Sequence, residues 1–351
     1  MNCLEILGRR IGPGEPVFVV AELSANHHQR LENAVRLVHE AKAAGADAVK
    51  LQTYTPDTIT LDVRSDIFRR ASAKPGQPEY LYDLYRQAYT PWEWHAELKR
   101  EVERAGMVFF STPFDPTAVD FLQELDVPAY KIASFEVVDI PLIRRVARTG
   151  RPIIMSTGMA TLEEIGEALA AIRAEGREQV ALLKCNSVYP AAPAEMNLRT
   201  IPDMMDRFGV PVGLSDHTLG IATAVAAVAL GACIVEKHFI RSRADGGPDS
   251  AFSLEPGEFK AMVEALRDTE RALGRAAYGP TEREQISRRY RRSLFVVADV
   301  KSGEALTAEN VRSIRPAHGL PPKHLDEVLG RRAARDIARG TPLAWELLRM
   351  E

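Results

Sequence analysis

The 351-residue chain is poor in cysteine: Cys3, Cys185 and Cys233 are odd in number and far apart, with no CxxC pair. That excludes a disulfide framework and a cysteine-based zinc site, and it fits a reducing cytoplasm. An excess of one charge is lacking too. Lys and Arg total 45 against 48 Asp and Glu, a formal net charge of −3. No global field therefore draws the chain to nucleic acid or anionic lipid. No GxxxxGK[ST] or GxGxxG follows a strand-like run, so neither a P-loop nor a dinucleotide fold is supported. The longest charge-free run, Leu219–Val235, is short for a membrane span and is punctuated by Gly220 and Gly231. The opening MNCLEILGRRIGPGEP has no basic start followed by an apolar stretch, so no signal peptide is read. What is present is an ordinary soluble composition, 46% hydrophobic and 26% charged. Its length suits two domains, or one barrel with an appendage.

Short β-branched or aromatic runs alternate with longer helix-like segments. Strands are expected at Phe18–Leu23, Ala48–Tyr54, Met107–Thr112, Ala129–Ser134, Pro152–Thr157, Val180–Cys185, Pro211–Ser215 and Cys233–Phe239. Helical spacing marks Leu31–Ala44, Pro91–Ala105, Thr161–Glu175 and Ile221–Leu230. Pro91 after Thr90 reads as a first-turn proline behind an N-cap, and Thr161 with Glu164 as a capping box. Gly45, Gly106, Gly176 and Gly231 stand where left-handed C-caps are needed. Eight strand–helix units of this length predict a closed (β/α)8 TIM barrel in preference to an open doubly wound sheet. The stretch Thr55–Thr90, with Pro56, Pro75, Gly76 and Pro78, reads as an elaborated loop over the C-terminal face. After Pro256–Leu273 the texture becomes arginine-rich, then changes to short strands and turns. The expected division is a catalytic barrel over 1–280, a linker over 281–292 and a small domain over 293–351.

The strand ends carry the chemistry. They read AELSANHH, VKLQTY, FFSTPFD, YKIASFE, IMSTG, LKCNSVYP, GLSDHT and VEKHF, each running from apolar into polar residues. Residues two apart on a strand share a face. Lys50 and Gln52, Ser215 and His217, and Glu236 and His238 can thus point inward together. Lys50 and Lys131, with hydroxyls from Thr112, Ser134, Ser156 and Ser215, suit a cradle for a phosphate plus a carboxylate. His217 and His238, ending neighbouring strands, can converge on one divalent ion, with Glu22 adding an oxygen directly or through water. Mn²⁺, Fe²⁺, Co²⁺ and Zn²⁺ all accept such a set. Cys185 reads as a small buried hydrophobe. The cluster Tyr80, Tyr82, Tyr85, Tyr89, Trp92 and Trp94 reads as packing beneath the long loop rather than as a stacking surface. His28 is given no role.

At AELSANH (21–27), VKLQTY (49–54), STPFD (111–115), YKIAS (130–134), MSTGM (155–159), CNSVYP (185–190), GLSDHT (213–218), EKHF (236–239) and GPDSAFSLEP (247–256) the chain resembles the sialic acid synthase family. These enzymes condense phosphoenolpyruvate with an amino sugar. The tail, with SIRPAHG at 313–319, resembles the family's small antifreeze-like (SAF) domain. Within the family, AELSANH, QTYTPDTITL and RADGGPDSAF are most like the bacterial pseudaminic acid synthase branch, whose acceptor is 2,4-diacetamido-2,4,6-trideoxy-L-altrose. The runners-up are an N-acetylneuraminate or legionaminate synthase and, from another class, a non-catalytic sugar-binding protein. The intact Lys, Glu and His set argues against the last.

The resemblance implies an aldol-like reaction: C3 of phosphoenolpyruvate attacks a metal-polarised aldehyde, water adds at C2 and phosphate departs. It implies His217 and His238 as metal ligands, for Mn²⁺ first, with Mg²⁺ or Co²⁺ as alternatives. Lys50, Thr112, Lys131, Ser134, Ser156 and Ser215 would hold phosphoenolpyruvate. Either Asn186 or Ser187 would reach the phosphate, since the family's asparagine commonly stands two residues before the tyrosine and here that residue is Ser187. Glu22 would be the acid/base, and Gln52, Glu136, Tyr189, Glu236 and Asp249 would face the sugar. Arg315 resembles an arginine that the tail domain inserts into a partner's site, which implies a domain-swapped homodimer.

Overall fold

The structure is a computed structural model and describes residues 3–70 and 78–349. Pro75 and Gly76 of the expected long loop lie outside the described residues. An antiparallel hairpin, β1 (Leu4–Ile6) and β2 (Arg9–Ile11), comes first. The strands β3 (Phe18–Glu22), β4 (Ala48–Thr53), β5 (Val108–Pro113), β6 (Tyr130–Ile132), β7 (Ile153–Ser156), β8 (Val180–Cys185), β9 (Val212–Asp216) and β10 (Ile234–His238) follow. They pair in parallel and close into a barrel in which β10 returns to β3.

The helices are α1 (Leu31–Ala43), α2 (Pro56–Ile59), α3 (Leu81–Ala88), α4 (His95–Arg104), α5 (Pro116–Glu124), α6 (Ile140–Arg148), α7 (Leu162–Ala174), α8 (Thr200–Phe208), α9 (Ala222–Ala229) and α10 (Pro256–Leu273). No described helix is long and apolar enough to cross a membrane. Local signals act as the sequence suggests at most boundaries. The Thr161 hydroxyl accepts from the Glu164 N–H while the Glu164 carboxylate accepts from the Thr161 N–H. The four helix-end glycines take φ of 91°, 69°, 72° and 98° at Gly45, Gly106, Gly176 and Gly231. One boundary differs. Trp92–Trp94 form a 3₁₀ turn, and α4 begins at His95 without a side-chain cap. The Thr90 hydroxyl instead pairs with His27 Nε2 at 3.1 Å. Both groups are buried, so an unmade bond there would cost more than an uncapped helix end that has other partners.

Strand alternation sorts the barrel into layers. Val19, Ala21, Val49, Phe109 and Val235 face outward against the helices. Phe18, Val20, Ala48, Phe110, Ile154, Leu183 and Ile234 face inward, and Leu4, Ile6 and Ile11 of the hairpin join that same cluster. At Gly213 an added Cβ would lie 2.4 Å from the Ile234 carbonyl oxygen and 2.7 Å from Leu183 Cδ2, so only glycine lets these strands fill the interior. The hairpin is tied on by Asp47, which takes Arg9 at 2.7 Å, Arg267 of α10 at 3.0 Å and the Val19 N–H at 2.9 Å.

The chain divides into two compact units, 1–274 and 275–351. The sequence pattern places the end of the barrel domain at 280. α10 stops at Leu273, and Gly274 leaves it with a φ of 49°. In the second unit α11 (Glu282–Ser287) precedes an antiparallel pair, β11 (Ser293–Val296) and β12 (Val311–Ile314), and then α12 (Leu325–Val328). Its own core gathers Leu294, Val296, Val311, Val328, Ile337 and Leu343.

Candidate active site

The inward face of each strand changes character within one or two residues. After Phe18 and Val20 comes Glu22; after Ala48, Lys50; after Phe110, Thr112; after Ile154, Ser156; after Ile234, Glu236. The polar layer is as buried as the apolar one beneath it: Glu22, Lys50, Lys131 and Glu236 are exposed by 0%, 4%, 2% and 4%. These four form one network. Lys50 pairs with Glu22 and lies 3.4 Å from Glu236, while Lys131 donates to Glu236 at 2.9 Å. Ser215 donates to the same Glu236 oxygen at 3.0 Å, and Lys50 donates to Thr112 at 3.3 Å.

The two carboxylates sit in different fields. Burial raises both, but Glu236 meets two ammonium groups and is held down to about 2. Glu22 is also desolvated, meets one ammonium and feels the like charge of Glu236, so it moves above the ordinary carboxylate range. Lys131 is pushed down by burial against the pull of Glu236. Environments that drive two neighbouring carboxyls apart separate an electrostatic anchor from a proton carrier.

Around this network several buried polar atoms have no partner among the described residues: Ser156 Oγ, Ser187 Oγ and Glu236 Oε2. Gly158 brings two of the strand-end loops together. A Cβ there would fall 2.3 Å from Ser187 Oγ and 2.9 Å from Ser134 Oγ, and its N–H donates to Ser134 at 3.0 Å. The open choice between Asn186 and Ser187 acquires a geometry. Asn186 Oδ1 is taken by the Val188 N–H at 3.0 Å and its carbonyl faces His217. The Ser187 hydroxyl remains unpaired beside Ser134.

His217 and His238 have ring centroids 5.4 Å apart. Nδ1 of His217 lies 2.8 Å from the Asn186 carbonyl oxygen, which fixes the proton on Nδ1 and leaves the lone pair on Nε2. Nδ1 of His238 is buried without a hydrogen-bond partner among the described residues, with Asp249 Oδ2 3.9 Å away. Burial holds His238 neutral, well below the ordinary imidazole range. Among the described residues no three His, Cys, Asp or Glu side chains close into a metal cage. Two lone pairs with oxygens left to solvent and substrate fit a divalent ion that keeps open positions. Cys185, also buried, lies with its Sγ 3.8 Å from His217 Nδ1.

Above these groups opens a cavity of about 410 Å³. Gln52, Glu136, Tyr189, His238 and Asp249 line its polar side, and Tyr54, Ile59, Leu84, Tyr85, Phe114 and Phe135 its apolar side. Tyr189 packs on His217 with centroids 4.3 Å apart. Burial pushes Glu136 up to about 7. Tyr85 departs from the sequence reading. It belongs to α3 in the long loop, faces the cavity and meets Tyr54 edge-on at 5.6 Å. Trp92 behaves as expected and stacks on Phe121 at 4.7 Å. Ser24 was passed over in the sequence. It donates to Asp249 and accepts from Gln52 at 3.1 Å, linking two residues expected to face the sugar. Its position two residues after Glu22 was the signal for it. Arg315 is exposed in the second unit, immediately after β12.

Comparison with known proteins bears on this arrangement. The NeuB family model matches residues 37–278 and the SAF domain model residues 291–349. A pseudaminic acid synthase of Campylobacter jejuni is 44% identical over 93% of this chain and 95% of its own. One from Helicobacter pylori is 44% identical over 94% and 97%. The crystal structure of an N-acetylneuraminic acid synthetase from Leptospira borgpetersenii superposes with a TM-score of 0.71 at 30% identity, covering 82% of this chain and 96% of that one. With its barrel, its strand-end residues and its tail all accounted for, the chain belongs to the NeuB family.

Proposed function

We propose that this chain is a pseudaminic acid synthase, condensing phosphoenolpyruvate with 2,4-diacetamido-2,4,6-trideoxy-L-altrose and releasing phosphate. One observation carries the reading: a buried cradle of two ammonium groups and unpaired hydroxyls adjoins two imidazoles beneath a half-apolar cavity. The similarity to pseudaminic acid synthases supports the choice of acceptor. The wall of Ile59, Leu84, Tyr85, Phe114 and Phe135 suits the methyl groups of a deoxy carbon and two acetamides, which a hydroxylated sugar would replace in part with groups needing hydrogen bonds.

Lys50, Lys131, Ser134, Ser156, Ser187 and Ser215 would hold the phosphate and carboxylate of phosphoenolpyruvate, supplying charge and directed donors. His217 and His238 would hold the divalent ion, Mn²⁺ first, which supplies electrophilic polarisation of the aldehyde oxygen. Glu22, biased toward its protonated form, gives its proton to the oxygen that becomes a hydroxyl when C3 attacks. Once ionised, it takes a proton from the water that adds at C2. Glu236 keeps both lysines charged. Gln52, Ser24, Asp249, Glu136 and Tyr189 orient the sugar.

Mixing the enzyme with phosphoenolpyruvate, Mn²⁺ and either the altrose derivative or N-acetylmannosamine tests the reading. Phosphate release with the former at least about tenfold faster is expected. Faster release with N-acetylmannosamine favours a neuraminate synthase, and none with either sugar favours a sugar-binding role.

The same site supports a homodimer. Phe135, Val138, Met159, Val188 and Leu219 are exposed on the loops after β6, β7, β8 and β9. Exposed apolar residues gathered on loops at one end of the barrel suit an interaction surface. The occupant we propose is the SAF domain of a second copy, with its Arg315 added to the substrate's anionic groups. Co-expressing inactive Arg315→Ala with inactive Lys131→Met should restore part of the activity; no restoration contradicts insertion in trans.

A further inference from the structure

Immediately outside the polar layer, on the helix-facing side of β9 and β10, lies a second ion pair that the reaction does not use. Lys237 and Asp216 are exposed by 0% and 1%, and their Nζ and Oδ2 are 2.7 Å apart. The ammonium also donates to the Thr218 carbonyl. Asp216 Oδ1 accepts from the Thr218 N–H at 2.9 Å and from its hydroxyl at 2.8 Å.

The pair is placed at one position in the ladder. β9 and β10 are in register through Glu236–Ser215 and Lys237–Asp216, and the pairing ends there. His217 and His238 are the next residues of the two strands, beyond the last paired position. No β9–β10 backbone bond holds one imidazole relative to the other. The side chains take over instead: Lys237 spans the strands, and Asp216 folds Thr218 back so that the peptides on both sides of His217 are fixed. The Ala191 N–H, donating to the His217 carbonyl at 3.0 Å, holds the remaining side.

Stability is a poor reason to keep such a pair. Two charges in a dry interior cost several kcal/mol each in desolvation, and apolar residues of similar volume are often as good or better. We propose that Lys237 and Asp216 are positioning residues for the metal centre, their ion pair setting the separation and orientation of His217 and His238. This rests on the reading of those imidazoles as metal ligands.

The test uses the full-length protein and separates a positional role from a structural one. In Lys237→Met/Asp216→Leu both charges leave together and the volume is kept. Thermal unfolding should stay close to wild type, while the Mn²⁺ dissociation constant, read by isothermal titration calorimetry, should rise about tenfold or more. The milder Thr218→Val removes one bond to Asp216 and should weaken Mn²⁺ binding about threefold, which keeps the proposal testable if the double variant fails to fold. Mn²⁺ affinity unchanged in a folded variant overturns the proposal and leaves the metal reading standing. A wild-type protein that binds no Mn²⁺ overturns both.

Discussion

The two ends of the barrel interior are built from the same strands and do opposite work. At the amino-terminal end Phe18, Val20, Phe110, Ile154, Leu183 and Ile234 interlock beneath the hairpin residues Leu4, Ile6 and Ile11. Two residues further along those strands the interior holds Glu22, Lys50, Thr112, Ser156 and Glu236. Both layers are shut off from solvent. The lower one gains from burial, since each large apolar side chain contributes about 2–3 kcal/mol. The upper one offsets the cost of burying four ionisable groups by pairing them and leaves several polar atoms for a substrate to satisfy. Stability and chemistry are thus separated along each strand, which lets the rim vary without unfolding the ring.

The sharpest break of that division is at the rim. Glu22→Gln removes the proposed proton carrier and should lower kcat about a thousandfold in a phosphate-release assay, with the unfolding midpoint little changed. The opposite break is Phe110→Ala. A cavity in the lower layer should cost about 3–5 kcal/mol in chemical denaturation and leave kcat of the folded fraction near wild type. If Phe110→Ala abolished turnover without loss of stability, the two layers would not be separable.

A third comparison concerns the layer outside the strands. Burial holds His95 down to about 4 from an ordinary 6.5, and its Nε2 lies 2.8 Å from the Thr53 hydroxyl. The unfolded chain takes up that proton first. The contribution of neutral His95 is therefore complete above pH 6.5 and is lost as pH falls toward 4, roughly 3 kcal/mol over that range. Unfolding free energy measured across this interval should fall less steeply in His95→Gln. The smallest effect is expected at the cavity. With Glu136 raised to about 7, kcat/KM for the acceptor should decline as pH drops through that value, about tenfold per unit below it. Glu136→Gln should lose that limb.

Much of this was legible in the chain itself. Parallel barrel strands are apolar on both faces, so their runs stand out, and the switch to polar residues marks the functional end of each. Lys50, Glu236 and the two imidazoles stand out through strand periodicity, and Lys131 through its place at a strand end. What escaped notice depended on three-dimensional packing. In SDHT and EKH, Asp216 and Lys237 merge with the polar string of the rim; alternation turns them outward, and only the fold shows that they are buried there and paired with each other. Tyr85 lies on a helix inside a long loop, where spacing cannot say which side meets the cavity. The Asn186 and Ser187 side chains differ in what they bond locally, and Thr90 prefers a distant histidine over its own helix; neither is written in the adjacent residues.

The rim's assignment to phosphoenolpyruvate condensation is tested most directly by running the reaction in H₂¹⁸O with the altrose acceptor and weighing both products. Water that adds at C2 places the label in the nine-carbon acid and leaves the released phosphate unlabelled. Label in the phosphate, with pyruvate in place of the acid, would mean hydrolysis at phosphorus and a site that does not join the two substrates.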